Sequence, residues 1–318
     1  MRIPVLRARR SLAGIACVAL FAACDARGPQ PPPAGPAAPR RIVVGVSLLT
    51  KTHAFYQDME ASMRATAVRL GIDLRVQSAE FSSAEQTSQV ENFAAQKVDA
   101  IVVCPDDPKA IVGAVRRARD AGVPVFAADS RTDAEGIVAQ VYSDNVQGGR
   151  LIGERLATAL AGRGDVAIID YPISVTVQDR VRGFETALAA HPEMKIVAKI
   201  PGGAVRDQSA QAMENLLQAH PGLKAVFGIN DDSALGAISA LAARGRKDVI
   251  VVGFDGTPEA KDAIRKGALL ADAAQNPAKI GQVTLETVVA HLQGRPVQKE
   301  ILIETSVIDK ERLAGEGN

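Results

Sequence analysis

From residue 41 onward, hydrophobic and polar positions alternate in a pattern that is typical of successive strands and helices. Short apolar runs rich in Val, Ile and Ala predict buried strands, and the stretches between them place apolar residues three or four positions apart, as in amphipathic helices. Such regular alternation predicts parallel sheets that are covered by helices on both faces. The expected fold class is therefore α/β.

The predicted elements divide into two similar halves. In the first half, strands are expected at 42–49, 74–78, 100–104, 123–128 and 137–142, and helices at 54–70, 83–96 and 108–121. In the second half, strands are expected near 165–170, 195–200, 225–229, 249–254 and 269–274, with helices between them. Ser83 and Gln86 have the spacing of a capping box at the start of the second helix.

An internal repeat relates the two halves. Residues 99–129 and 224–255 each contain an apolar strand, an Asp-Asp pair before a helix, a glycine near the helix end and a second strand that ends in aspartate. These terminal acids are Asp129 and Asp255. Ligands of open α/β sheets bind at the carboxyl ends of the strands, so two facing lobes would present both acids to one cleft.

Other residues at the same predicted edge suit a sugar. Asn230 and Gln275 end strands, and Phe55 and Tyr56 follow the first strand. Carboxylates and amides hydrogen-bond hydroxyl groups, and aromatic rings cover the C–H face of a sugar ring. Two alternatives stay open at this point: Asp255 could simply cap the next helix, or the two acids could serve a glycosidase.

The two Asp-Asp pairs of the repeat have a different expected role. Asp106 and Asp107 precede one helix, and Asp231 and Asp232 precede another. Aspartate is a favoured N-cap residue, so these four acids are expected to cap helices and not to bind ligand.

The N-terminal segment predicts export and lipidation. Residues 1–23 have a basic start and an apolar run too short to span a bilayer, as in a signal peptide. The run ends in LFAAC, which resembles a bacterial lipobox with Cys24 as the lipidated residue; ordinary cleavage near Ala23 is the alternative. Asp25 resembles an inner-membrane retention signal. Residues 24–40 are rich in proline and predict an extended tether between a periplasmic domain and the membrane.

Charge and cysteine content narrow the function. Without the four arginines of the signal segment, 33 of the 37 basic residues remain against 36 acidic ones, so the net charge is −3 and nucleic-acid binding is not expected. Only Cys104 lies in the predicted folded part, where it is expected to be buried. The histidines show no metal-ligand spacing, and neither a metal nor any other cofactor is expected.

Four stretches resemble one known family. Residues 142–149 (YSDNVQGG), 215–221 (NLLQAHP), 225–241 (AVFGINDDSALGAISAL) and 248–258 (DVIVVGFDGTP) are similar to the periplasmic ribose-binding protein family, the type I sugar-binding proteins of ABC importers. The similarity extends over 42–308. It implies two Rossmann-like lobes that close on a sugar, three hinge crossings, and an ABC permease as partner of a monomeric, non-enzymatic protein.

The resemblance also implies a site and lobe boundaries. The N-terminal lobe would comprise 41–143 and 276–304, and the C-terminal lobe 144–275 and 305–318. Residue by residue, the implied ligand contacts are Ser47, His53, Phe55, Tyr56, Asp129, Gln178, Asn230, Asp255 and Gln275.

Several positions depart from the ribose-binding pattern. Ser130 and Gln178 stand where ribose binders carry arginine, Ala204 where they carry an aromatic residue, and His53 where asparagine is usual. Arg180 matches a neighbouring arginine with a structural role. A different pentose, a hexose, a polyol or a furanosyl compound is therefore as compatible as ribose, and a sugar sensor that signals to a chemoreceptor or histidine kinase is the alternative to transport.

Overall fold

The computed structural model describes residues 41–315, so the predicted signal peptide, Cys24 and the proline-rich tether lie outside the described residues. The strands are β1 (Ile42–Leu48), β2 (Ile72–Ser78), β3 (Ala100–Val103), β4 (Val125–Ala128), β5 (Ile137–Ser143), β6 (Arg163–Asp170), β7 (Glu193–Pro201), β8 (Ala225–Gly228), β9 (Ile250–Asp255), β10 (Ala271–Ala274), β11 (Glu300–Ile303) and β12 (Ser306–Asp309). The helices are α1 (Ala54–Leu70), α2 (Ser83–Ala95), α3 (Val112–Asp120), α4 (Asn145–Ala159), α5 (Val175–Ala189), α6 (Arg206–Ala219), α7 (Asp231–Ala243), α8 (Pro258–Arg265), α9 (Pro277–Leu292) and α10 (Lys310–Gly315).

The strands form two six-stranded sheets with matching topology. The first has the order β11-β5-β4-β3-β1-β2 and the second the order β12-β10-β9-β8-β6-β7. All strand pairs are parallel except β10 with β12, which run antiparallel. The α/β fold class predicted from the alternating pattern is thus confirmed, with one antiparallel edge strand that the pattern did not predict.

Each sheet is buried between two layers of helices. In the first sheet, α1 and α9 pack on one face, while α2 and α3 pack on the other. In the second, α4 and α5 cover one face, and α6, α7 and α8 cover the other. Because both faces are covered, the central strands are mostly apolar, which is the pattern that predicted them.

Within residues 41–315 the chain passes between the sheets three times. The passages follow β5, β10 and β11, and the last one consists only of Glu304 and Thr305 between β11 and β12. All three lie on or beside one edge of each sheet, where β11 and β12 are the outermost strands.

Helix ends follow local chemistry, with two corrections to the predictions. The N-cap of α2 is Ser82, whose hydroxyl accepts the N–H of Glu85, and not Ser83, whose hydroxyl donates to Asp106 instead. Helix α3 begins at Val112, four residues later than predicted, because the Asp107 carboxylate accepts two N–H groups of the preceding turn.

Candidate functional site

Side chains from both sheets line one cavity of about 550 Å³ at the carboxyl ends of the strands. Seven of the nine predicted ligand contacts line it, namely His53, Phe55, Tyr56, Asp129, Asn230, Asp255 and Gln275. It is also lined by Phe81, Asp106, Ser130, Tyr171, Arg180 and Ala204.

Asp129 follows β4 and is buried at the floor of this cavity. Its Oδ2 accepts the hydroxyl of Tyr56 at 2.6 Å, which fixes the carboxyl against the ring. Burial raises the pKa of Asp129 above its ordinary value, and the bond from Tyr56 opposes that rise. The backbone φ of +64° lies in the left-handed region, a conformation that costs a residue with a side chain about 1–3 kcal/mol.

Asp255 ends β9 and occupies the equivalent place in the second sheet. Its Oδ1 accepts hydrogen bonds from Gln275 Nε2 at 2.6 Å and from Arg180 Nη1 at 3.3 Å. Burial raises the pKa of Asp255 to about 8, against the opposing effect of the Arg180 charge. Its φ of +131° is also in the positive region. Thus both repeat-related acids end their strands in a strained backbone conformation.

The helix after Asp255 is capped by another residue. Thr257 is the N-cap of α8, and its hydroxyl accepts the N–H of Ala260 at 3.3 Å. The alternative that Asp255 serves as a helix cap is therefore wrong. The same holds for α7, whose cap is Asn230 and not the Asp-Asp pair that follows it.

Arg180 contributes a guanidinium group to the lining of the cavity, whereas the sequence comparison had implied only a structural role for it. It is buried on α5 and donates to Asn145 Oδ1 at 2.9 Å and to the backbone oxygen of Ile229 at 2.8 Å, in addition to Asp255. Its guanidinium carbon lies 4.0 Å from the centre of the Phe254 ring, a cation–π contact. Arg180 is therefore held from four sides, and it holds the Asp255 carboxyl in turn.

The two amides have partly satisfied side chains. Asn230 accepts the N–H of Ser233 at 2.9 Å and donates to the backbone oxygen of Ala204 at 3.0 Å. Gln275 donates to Asp255, but its Oε1 is buried without a hydrogen-bond partner within residues 41–315. The hydroxyl of Ser130 is likewise buried without a hydrogen-bond partner within these residues. Buried polar atoms normally have partners, so these two are available to a ligand.

Aromatic rings form the apolar part of the lining. Phe55 and Tyr56 meet edge to face with their centres 5.2 Å apart, and His53 packs edge to face on Phe81 at 5.4 Å. The second sheet contributes Tyr171, which directly follows β6. At Ala204, where the resemblance implies an aromatic residue, the lining carries no ring.

Three polar pairs join the two sides of the cavity. His53 Nε2 lies 3.2 Å from Asp232 Oδ2, and the hydroxyl of Tyr171 donates to Asp106 at 3.3 Å. The third pair, which is Arg131 with Asp179, has its closest atoms 2.9 Å apart. Burial lowers the pKa of His53, so the first pair is a hydrogen bond to a neutral ring near pH 7.

Two predicted contacts do not line the cavity. Ser47 is fully buried in β1 and donates to Gln89 Oε1 at 2.8 Å. Gln178 is exposed on α5, and its Nε2 donates to the backbone oxygen of Pro172 at 2.7 Å. The cavity side of this helix is occupied by Arg180, two positions further along the chain.

Residues 41–315 lack two further kinds of feature. No grouping of three or more His, Cys, Asp or Glu side chains there has the geometry of a metal site. No helix within the same residues combines the length and the apolar character that crossing a bilayer requires.

Comparison with known proteins gives a consistent result. Residues 44–296 match the periplasmic binding protein domain family. The chain is 33% identical over 270 residues to the ribose import binding protein of Escherichia coli K12, covering 84% of this chain and 90% of that protein. It is 34% identical over 284 residues to the ribose import binding protein of Bacillus subtilis 168, covering 89% and 92%. Among solved structures, a solute-binding protein from Actinobacillus succinogenes with bound D-allose is 30% identical with a TM-score of 0.82, covering 86% of this chain and 100% of that chain.

Proposed function

The chain belongs to the periplasmic binding protein family, and on that premise we propose that it captures a monosaccharide or a related polyol between two lobes and delivers it to an ABC importer. One observation carries the proposal: the acids that end equivalent strands of the two sheets, Asp129 and Asp255, line a single cavity together with aromatic rings. The relatives named above are import binding proteins, which favours transport over the sensor alternative.

The lining determines how a sugar would be held. Asp129 Oδ1 and Asp255 Oδ2 make no hydrogen bonds within the described part of the chain, so each can accept from a sugar hydroxyl. The rings of Phe55 and Tyr56 from the first lobe and of Tyr171 from the second would cover the C–H faces. We propose these residues, with His53, Asn230 and Gln275, as the contacts, while Ser47 and Gln178 stay predictions from the resemblance.

The charge of the cavity limits the class of ligand. Asp106, Asp129 and Asp255 line it, and Arg180 is the one guanidinium among the lining residues of the described chain, already engaged by three acceptors. A phosphorylated sugar or a sugar acid would meet uncompensated carboxylates. The lining thus suits a neutral polyhydroxylated ligand. In solved relatives the bound molecules include D-allose and myo-inositol, both of this kind.

Capture requires the lobes to open. We place the hinge at the three passages between the sheets, near 143–144, 275–276 and 304–305, with the lobes as 41–143 plus 276–304 and 144–275 plus 305–318. The three polar pairs across the cavity would break on opening and re-form on closing, which is the expected behaviour of hinge-closure proteins. No chemical step is proposed, because acids on lobes that move relative to each other do not keep the fixed spacing that catalysis needs.

We also propose that the mature protein is a periplasmic lipoprotein that remains monomeric. The support is the lipobox-like sequence at Cys24 and the proline-rich tether over 24–40, and Asp25 favours the inner membrane. In cells grown with an alkyne fatty acid, the wild type should be labelled and partition into membranes. Cys24→Ser should do neither; labelling of that variant would remove the lipoprotein proposal without affecting the sugar site.

A thermal-shift screen tests the binding function directly. Purified protein lacking 1–40 is screened against neutral pentoses, hexoses, furanosides and polyols, with glucose 6-phosphate and glucuronate as anionic counterparts. A ligand at a thousand times its dissociation constant stabilises the folded state by about 4 kcal/mol, which gives a clear shift. We expect at least one neutral compound to shift the transition. A response confined to anionic compounds, or turnover of any sugar, would contradict the proposed function.

A further inference from the structure

Two carboxyl groups lie buried directly behind the candidate site, and the proposed function does not use them. Asp231, the first residue of α7, is 3% exposed, and Asp272, in the middle of β10, is fully buried. Asp272 is the register partner of Gly253 on β9, two residues before Asp255. The pair therefore stands beside the strand that carries the second-lobe acid.

The two carboxyls converge on one spot. A Cβ on Gly253 would lie 3.2 Å from Asp231 Oδ1 and 3.3 Å from Asp272 Oδ2, so the missing side chain of Gly253 is the space into which both acids point. These oxygens and Asp272 Oδ1 accept no well-formed hydrogen bond from an N–H or hydroxyl group within residues 41–315, although the backbone N–H of Gly256 lies near Asp272. The acids are, however, within hydrogen-bonding range of each other.

No cation balances this pair. The charged or titratable groups that face it within residues 41–315 are Asp255 and Arg180, and Arg180 is committed to Asp255. Asp232, the next residue of α7, turns away to His53 and Arg206. Two adjacent carboxylates without a cation are strongly unfavourable in a buried site. One proton shared between them removes one of the two charges and supplies an O–H group that donates to the other carboxylate.

Ionisation chemistry points the same way. Burial raises the pKa of both carboxyls. The charge of Asp272 adds to the rise for Asp231, and the charge of Asp255 adds to it for Asp272, while the hydrogen bond with Asp231 opposes the rise for Asp272. A pair of this kind loses its protons in two steps, and the pKa value of each step belongs to the pair and not to either residue.

The pair is also connected to the ligand acid through the backbone. Asp231 Oδ2 accepts the N–H of Thr257 at 2.7 Å, which fixes the turn that follows Asp255. Asp255 itself has a φ of +131°, a conformation that its surroundings have to maintain. Repulsion between Asp231 and Asp272 would displace Asp231 and loosen this turn.

We propose that Asp231 and Asp272 share one proton and that this proton-sharing pair positions Asp255 for the ligand. Loss of the shared proton at high pH makes the pair repel, releases the Thr257 turn and weakens binding. Asp231 and Asp272 are positioning residues, since neither touches the cavity in which the ligand is held. The effect on affinity rests on the proposed function, but the shared proton does not.

Proton counting on the unliganded protein tests the sharing. The slope of unfolding free energy against pH gives the number of protons exchanged on unfolding, and it is measured near pH 7 for the wild type, D272N, D231N/D272N and the surface control D262N. The unfolded carboxyls ionise near their ordinary pKa. In D272N the introduced amide can donate to Asp231 in place of the shared proton, so wild type should release one more proton on unfolding than D272N. The double variant should match D272N, and D262N should match wild type.

Each other outcome overturns the sharing. Equal release by wild type, D272N and the double variant would mean that both acids are ionised in the folded state. Equal release by wild type and D272N, with one proton fewer in the double variant, would mean that Asp231 keeps a proton without Asp272. If the double variant releases two protons fewer than wild type on unfolding, each acid holds its own proton in the folded state. If D272N does not fold, D231N gives the same comparison, because asparagine still offers an oxygen to the Thr257 N–H. Repeating the series in an Asp255→Asn background removes the contribution of the ligand acid.

The positioning role has its own readout in ligand affinity. With a neutral sugar found by the screen, the dissociation constant of the wild type should rise several-fold more between pH 6.5 and pH 9 than that of D272N. Asp255 titrates in both proteins, so the difference reports the pair alone. Parallel pH profiles would refute the positioning role, whereas absence of any ligand in the screen would refute the proposed function and leave the proton count standing.

Discussion

The Asp255→Asn substitution replaces a carboxyl group by an amide of the same size. Asparagine Oδ1 can still accept from Gln275 and Arg180, the two groups that hold Asp255 Oδ1. What changes is the second oxygen, Oδ2, which the proposed function assigns to a sugar hydroxyl. An amide nitrogen takes that place, so the ligand hydroxyl loses its acceptor. Asparagine also tolerates positive φ values better than most residues, which suits this position.

The expected loss follows from the strength of one such bond. Leaving the sugar hydroxyl without its acceptor costs about 1–3 kcal/mol, and each 1.36 kcal/mol corresponds to a factor of ten. The dissociation constant should therefore rise roughly 5- to 150-fold. Folded-state stability near pH 7 should not fall, because the substitution removes the cost of burying a carboxyl group.

Isothermal titration calorimetry with a sugar from the screen measures this change, and urea unfolding measures stability. Asp262→Asn is the matched control, since Asp262 is an exposed acid on α8 whose side chain is 60% accessible. Binding by Asp255→Asn within twofold of wild type would refute the assignment of Asp255 to a sugar hydroxyl. A large loss of stability with unchanged affinity would show instead that the carboxylate serves the fold.

The same variant makes a prediction about pH. The folded pKa of Asp255, about 8, is above its ordinary value of 3.8, so the folded protein holds a proton there that the unfolded chain gives up. The stability that this proton contributes is fully present below about pH 4 and is lost as pH rises through about 8. Urea unfolding over this range should show a smaller decline for Asp255→Asn than for wild type. Parallel curves would contradict the raised pKa.

Three further substitutions probe the surroundings of the site. Tyr171→Phe deletes the hydroxyl that reaches Asp106 across the cavity, and we expect it to cost about 0.5–1.5 kcal/mol of binding through faster ligand release, measured by stopped flow. Gly149→Ala would place a Cβ against a backbone oxygen of α5, and we expect about 1–3 kcal/mol of lost stability or more in urea unfolding. His53→Gln removes a ring whose pKa is lowered by burial, so the variant should lose less stability than wild type when the pH falls through 6.5, as measured by thermal unfolding.

Each of these predictions has a control or a contradicting result. Gly222→Ala places its Cβ in open space and should leave stability nearly unchanged. Unchanged release by Tyr171→Phe would mean that its hydroxyl does not hold the lobes together. Equal acid sensitivity of His53→Gln and wild type would assign the loss of stability to other groups.

Much of the fold could be predicted because burial leaves a direct trace in the sequence. The β-branched run before Asp255 predicted a central strand, and β9 is one. Helix α1 has its predicted bounds, since Gly71 adopts the positive φ that ends it. Strands β11 and β12 were not predicted, because they are four-residue edge strands with little burial to mark them: two of the four residues of β11 are exposed, and in β12 only Ile308 is buried.

The site was predictable in part for a similar reason. The internal repeat identified Asp129 and Asp255 from the sequence alone, because both acids follow equivalent strands and the carboxyl ends of parallel strands lie at one edge of each sheet. The sequence did not indicate that Arg180 contacts Asp255, because this contact depends on the direction in which α5 points the Arg180 side chain. Phe81 gave no signal at all: it follows β2 in a loop, with a left-handed φ of +60° that nothing in the local sequence requires.

The short link between β11 and β12 determines where motion of this molecule can be observed. With two residues between them, the ends of β11 and β12 are three Cα–Cα steps apart and can separate by at most about 11 Å, so the sheet edges that they join cannot move far apart. The opposite edges, β2 and β7, are five strand spacings away, about 24 Å at the usual interstrand distance. Opening should therefore be a rotation about an axis near Glu304 and Thr305. A fluorophore pair on β2 and β7 would register the largest displacement, and one on β11 and β12 would register almost none.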